Sequence, residues 1–266
     1  MEGETMRLVV KIGTSTLAHP TGHLNIRRVE ALCKILSDIK NAGHEVILVS
    51  SGAIGMGVGK LGLRQRPGDI PTKQAAAAVG QCELMYTYDR LFGEYHHTVA
   101  QLLINGEDTL NPVRHRNFTN TLNRLLELGA LPILNENDTV ATEEIVIGDN
   151  DTLAAIVAKS VRADLLILLS DIEGLYTADP HRDPGAVLLH RIEALTPQIW
   201  ELAGGSGSAQ GTGGMVTMLR AAQMCMESGC EMVIASGGTP ENLYGILDGK
   251  NIGTRFLAGK REGKAE

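Results

Sequence analysis

The sequence predicts an α/β protein, a three-layer α/β/α sandwich around a mainly parallel central sheet. Short apolar runs rich in Val, Ile and Leu alternate along the chain with longer segments of helical spacing, the rhythm of βαβ units. The runs are almost continuously apolar, as strands covered on both faces are. Aromatic residues make up 3% of the chain against 43% hydrophobic residues, so the core must be built from aliphatic side chains.

RLVVKI (7–12) reads as the first strand, NIRRVEALCKILSDIKNAG (25–43) as a helix and EVILVS (45–50) as the second strand. A long helical stretch begins near Thr72; TVAQLL (98–103), a helix from about Asn117 to Leu128, and LPILN (131–135) follow. The second half repeats the rhythm with DLLILLS (164–170), the helix MVTMLRAAQMCMESG (215–229), EMVIAS (231–236) and a closing ENLYGILDGK (241–250). No linker divides the chain and no fixed period repeats, so 1–266 is expected to form one domain.

The net charge of -7, with basic pairs scattered at Arg27-Arg28 and Arg114/Arg116, argues against a nucleic-acid partner. The four cysteines lack the spacing of a zinc site. The N-terminus has no basic, apolar leader and DLLILLS is too short to span a bilayer, which predicts a cytoplasmic protein with no membrane partner.

Ligands of open α/β sheets sit at the carboxyl ends of the strands, so the residues that follow each strand matter most. Lys11 closes the first strand before Gly13, Thr14 and Ser15; it either answers an anion or snorkels to the surface. Ser50, Ser51 and Gly52 end the second strand, where hydroxyls and free N–H groups suit a carboxylate. The glycines beyond offer two motifs. A phosphate loop fails because Leu61 follows Gly59-Lys60; Gly57-x-Gly59-x-x-Gly62 fits a dinucleotide fingerprint in letters but starts well past the strand.

The richest segment runs from Asn135, Glu136, Asn137 and Asp138 to Asp149, Asn150 and Asp151. Turns and helix caps account for two or so of these groups, and the others need a cationic partner such as an α-amine, Mg²⁺ or a lysine. Ser170 and Asp171 end the next apolar run. The glycine-rich GGSGSAQGTGG (204–214) feeds the helix at Met215 and is read as a phosphate cradle at a helix N-terminus.

Together VVKIGTS, VSSGAIG, LNENDTVA, GDND, SDIEGLYTADP and GTGGMVTML resemble the amino acid kinase family, in the family's order and over nearly the whole chain. The pairing of NEND with GDND is similar to the branch that acts on L-glutamate; acetylglutamate, uridylate and carbamate kinases share the glycine loops without it. The resemblance implies the amino acid kinase fold, a substrate lobe over about 1–160 and a nucleotide lobe over about 161–266, without the C-terminal PUA domain that many relatives carry. It implies ATP-dependent phosphorylation of the γ-carboxylate of L-glutamate for proline biosynthesis, with Mg²⁺ arriving on ATP. Its implied partners are a second copy of the chain, as dimer or tetramer, and the glutamyl phosphate reductase of the next step.

In that pattern Lys11 and Asp151 are catalytic, and Ser51, Asp138, Asn150, Asn135 and Asn137 bind the substrate. Lys11, Ser170, Asp171, Thr212, Gly213, Gly214, Met215, Val216, Thr217 and Met218 match the nucleotide site. The family pattern has a lysine where this chain has Met218, and methionine carries no charge and donates no hydrogen bond. An impaired kinase is therefore the leading expectation. Its alternatives are a regulatory protein that binds glutamate, proline or nucleotide without turnover, another family member such as an acetylglutamate kinase, and, remotely, a dehydrogenase.

Overall fold

The computed structural model describes residues 5–19, 23–140, 149–180, 182–204 and 214–259. Six strands form the parallel body of one sheet: β1 (Arg7–Ile12), β2 (Glu45–Ser50), β3 (Val99–Ile104), β4 (Leu131–Glu136), β5 (Leu165–Ser170) and β7 (Glu231–Ser236). Two short strands, β6 (Arg191–Ile192) and β8 (Thr254–Phe256), complete the order β3-β4-β2-β1-β5-β7-β8-β6. β8 runs antiparallel to β7, so the sheet is mainly rather than wholly parallel.

The two-residue period of a strand divides the core. Leu8, Val10 and Ile12 point to one face, under α1 (Thr14–Leu17), α2 (Ile26–Asn41), α4 (Ile70–Gly93) and α10 (Asn242–Leu247). Val9, Ile47, Val49, Leu166 and Leu168 point to the other, under α6 (Pro112–Glu127), α7 (Asn150–Ser160) and α9 (Met215–Glu227). The expected three layers are present. The N-terminal half winds outward from β1 to β3 and the C-terminal half winds the other way from β5, so β1 and its neighbours lie at the reversal in strand order, where such sheets open a crevice.

Local chemistry sets the helix starts. Asn25, Asp69, Asn111 and Asp149 each accept a hydrogen bond from a first-turn amide of α2, α4, α6 and α7. Asn111-Pro112 starts α6 earlier than the expected position near Asn117, and Asp69 with Pro71 starts α4 just ahead of Thr72.

The sequence assigns no element to the glycine-rich segment after Ser51, and the structure forms a helix there, α3 (Ala53–Lys60). Its glycines permit close approach rather than a phosphate loop. A Cβ on Gly57 would lie 1.8 Å from the Ala76 carbonyl oxygen of α4, and one on Gly80 would lie 1.7 Å from that of Ala53. Of the fingerprint's glycines, Gly57 is required by helix packing and Gly62 by a positive φ of 66° just past the end of α3. Short connecting helices α5 (Gly106–Leu110) and α8 (Pro197–Ala203) complete the described elements.

A glycine-to-alanine change inside a helix ordinarily adds up to about 1 kcal/mol of stability. Here overpacking against a backbone carbonyl outweighs that gain, and Gly80→Ala is expected to cost about 1–3 kcal/mol in urea unfolding. A stabilised variant would refute the contact.

Candidate functional site

The carboxyl ends of β1, β2, β4 and β5 and the N-termini of α7 and α9 meet at one edge of the sheet. Strand parity decides which side each group enters from. Lys11 shares the parity of Val9 and faces α7, whereas Ser50 and Asn135 face α4.

Lys11 does not snorkel. Its side chain is 11% exposed, and Nζ lies 2.6 Å from Oδ1 of Asp151, which is 2% exposed in the first turn of α7. Such a pair is held only where each charge answers the other, because both have been taken out of water. The carboxylate also sits at the positive end of the α7 dipole. Thr217 Oγ1 approaches Asp151 Oδ2 at 3.4 Å and donates to the Gly214 carbonyl at 2.7 Å, which ties the start of α9 to the start of α7.

Asn150 bridges the crevice. Its Nδ2 donates to Ser51 Oγ at 2.7 Å and Asn135 Oδ1 at 3.1 Å, with the Ser50 carbonyl at 3.4 Å. Its Oδ1 is buried and accepts no hydrogen bond among the described residues. Asn135 is itself held by the Glu136 amide, at 2.9 Å to Oδ1, and by Gln81 Oε1, at 3.0 Å from Nδ2. Ser50 Oγ pairs with the Tyr88 hydroxyl at 2.8 Å in the buried layer beneath. Gln81 and Tyr88 were not anticipated. The available signal was a pair of polar residues on the sheet-facing side of an alanine-rich helix.

Asp149 is spent on capping α7, and Asn137 accepts from Thr139 Oγ1 at 2.5 Å within the turn after β4. Burial pushes the carboxyl pKa of Asp138 upward, with Arg66 pulling it down. Burial also raises that of Asp149, opposed by the Thr152 amide and reinforced by Asp151.

On the other side of β1, Ser170, buried at the end of β5, donates to Oδ1 of the exposed Asp171 at 3.0 Å. Helix α9 starts at Met215 after Gly214; the Thr217 and Met218 amides bond to the Gly214 carbonyl, and among the described residues no side chain caps those of Met215 and Val216, the position at which a helix start can receive an anion. Met215, Val216 and Thr217 occupy that turn. Met218 is 4% exposed and belongs to the core cluster on the α7 and α9 side of the sheet. Thr212 and Gly213 lie outside the described residues.

Residues 6–236 match the model of the amino acid kinase family. The chain is 52% identical over 260 residues to the glutamate 5-kinase of Listeria monocytogenes, covering 96% of this chain and 94% of that protein. It is 50% identical over 263 residues to that of Clostridium perfringens, with 97% and 98% covered. Among solved structures, the carbamate kinase of Giardia lamblia bound to AMP-PNP superposes with a TM-score of 0.67 at 18% identity, covering 97% of this chain and all of that one. An isopentenyl phosphate kinase gives 0.64 at 17% identity, covering 94% of this chain and 100% of its own. At such identities these two structures speak to the fold alone.

Two outcomes follow from the electrostatics. Lys11→Met strands the Asp151 carboxylate and is expected to cost about 3–5 kcal/mol in unfolding free energy. Asp138, whose folded pKa is raised, favours the folded state only while protonated. Its contribution is full below the ordinary carboxylate value near pH ~4 and is lost as pH climbs through the raised value. Asp138→Asn should therefore be the more stable protein at pH 7, with the advantage vanishing toward pH ~4; chemical unfolding across that range measures it.

Proposed function

The chain belongs to the amino acid kinase family, and on that premise we propose that it transfers the γ-phosphoryl group of ATP to the γ-carboxylate of L-glutamate, giving glutamyl 5-phosphate for proline biosynthesis. One observation carries the reading beyond the resemblance to named relatives. The buried acceptor Asn150 Oδ1, unpaired among the described residues, stands at the same sheet edge as the buried Lys11–Asp151 pair, which supports an ammonium site and an anion site side by side.

A carboxylate acceptor has a reference pKa of about 4.3, is ionised at neutral pH, and requires no general base. The chain's task is then to hold two anions together and in line. Asn150 Oδ1 and the desolvated Asp138 receive the α-ammonium group of the amino acid, and the Ser51 hydroxyl receives a carboxylate; Asn135 and Asn137 shape the wall.

ATP fits the other side. The Met215 and Val216 amides at the start of α9 and the Lys11 ammonium answer its phosphates, and Ser170 and Asp171 border the same space. When bound, MgATP supplies the transferable phosphoryl group together with a counter-ion, Mg²⁺ typically being carried on substrate phosphates. Lys11 holds positive charge where that group is received, and Asp151 fixes the direction of the lysine. Membership of the family supports a homo-oligomer, dimer or tetramer.

Met218 supports a second reading, binding without turnover, because a buried thioether contributes no charge to the phosphates. Trapping the acyl phosphate with hydroxylamine, with and without L-glutamate, separates the two. Met218→Lys is expected to raise glutamate-dependent turnover roughly a hundredfold to a thousandfold. Equal rates in parent and variant would mean that Lys11 suffices. Silence in both, with nucleotide and glutamate still bound, would establish the binding protein.

A further inference from the structure

We infer that Gln81 is a positioning residue for the amino-acid substrate, acting through a Gln81–Asn135–Asn150 relay that determines which end of the Asn150 amide the substrate meets. The inference rests on the glutamate reading above and adds to it a residue two side chains away from the ligand.

The direction of the relay follows from a fixed donor. The Glu136 backbone N–H can only donate, and it lies 2.9 Å from Asn135 Oδ1, so that atom is the oxygen of the amide. Asn135 Nδ2 must then donate outward, and it does so to Gln81 Oε1 at 3.0 Å. Asn135 Oδ1 also lies 3.1 Å from Asn150, which must present Nδ2 there. The Ser50 carbonyl, an obligate acceptor, lies 3.4 Å from the same nitrogen and agrees with this assignment. Among the described residues Asn150 Oδ1 is left buried and unpaired, so the group that binds it has to be a donor. The α-ammonium of an amino acid is such a group.

Glu136 alone fixes the polarity of Asn135 but leaves its amide plane pinned at one end. Gln81 pins the other end. The glutamine is 8% exposed, and its backbone is held by the neighbouring Gly80, whose lack of a side chain lets α4 touch the Ala53 carbonyl of α3. A buried amide that lost this acceptor would keep an unsatisfied N–H and turn to find another partner, carrying Asn150 with it.

The test compares the native chain with Gln81→Met, similar in shape but without an acceptor, and Gln81→Glu, which keeps an oxygen at the same place. Calorimetry measures the Kd for L-glutamate and, as a control, for a non-hydrolysable ATP analogue; NMR of asparagine-labelled protein follows solvent exchange of the Asn135 and Asn150 side-chain amides. We expect Gln81→Met to weaken glutamate binding about tenfold, leave nucleotide binding unchanged and speed amide exchange, with Gln81→Glu close to native.

Native glutamate affinity in Gln81→Met would overturn the inference, and so would parallel loss of both ligands in both variants. If the native chain bound no glutamate, the proposed function would fall. Fast amide exchange confined to Gln81→Met would then still uphold the relay, and unchanged exchange would end it.

Discussion

The buried pair of Lys11 and Asp151 constrains the whole carboxyl edge of the sheet. Two charges with 11% and 2% of their side-chain surface exposed persist only if backbone and packing keep them within reach of each other. Lys11 is held by β1, which is hydrogen-bonded on both sides by β2 and β5. Asp151 is held by α7, whose start is capped by Asp149 and whose buried face, Leu153, Ala154 and Val157, lies in the core. Any register slip of β1 by one residue would turn the ammonium to the opposite face, so the ion pair and the strand register specify each other.

The same parity builds the rest of the site. Odd and even positions of adjacent strands deliver their polar ends to opposite faces, and the crevice collects both because it sits above the edge, at the reversal of strand order. Lys11 comes in from the α7 and α9 side, whereas Ser50 and Asn135 are backed by Tyr88 and Gln81 from α4. Asn150 crosses between them. The glycine contacts of α3 with α4 serve this arrangement, because they join the turn after Ser51 to the helix carrying the supporting residues.

Much of this was legible in the sequence for a definite reason. Strands buried on both faces leave unbroken aliphatic runs, and the polar residues that end them mark the crevice without knowledge of any contact. That logic located Lys11, Ser51, Asn135, Asn150 and Asp151. It assigned no element to 53–60, where glycine content masks a helix whose contact with α4 demands glycine at Gly57. It overlooked β6 and β8, two and three residues long, which have no room for a period. Gln81 and Tyr88 were hidden because their roles depend on how α4 lies across β2 and β4, a tertiary fact that spacing along α4 does not encode.

The site that results is dipolar. In the proposed site, acceptors are supplied by Asn150 and Asp138, and positive charge by Lys11 and the N-terminal end of α9. Under the proposed function this polarity orients a zwitterionic amino acid, its ammonium toward the acceptors and its side-chain carboxylate toward the phosphates. Met218 bears on only one end of that dipole. Under that same proposal its buried thioether adds no charge beside Lys11, which already neutralises Asp151, and it leaves the acceptor end to Asn150. Recognition of the amino acid and stabilisation of the transferred group are thus carried by separable parts of one crevice, and a chain can weaken the second while keeping the first.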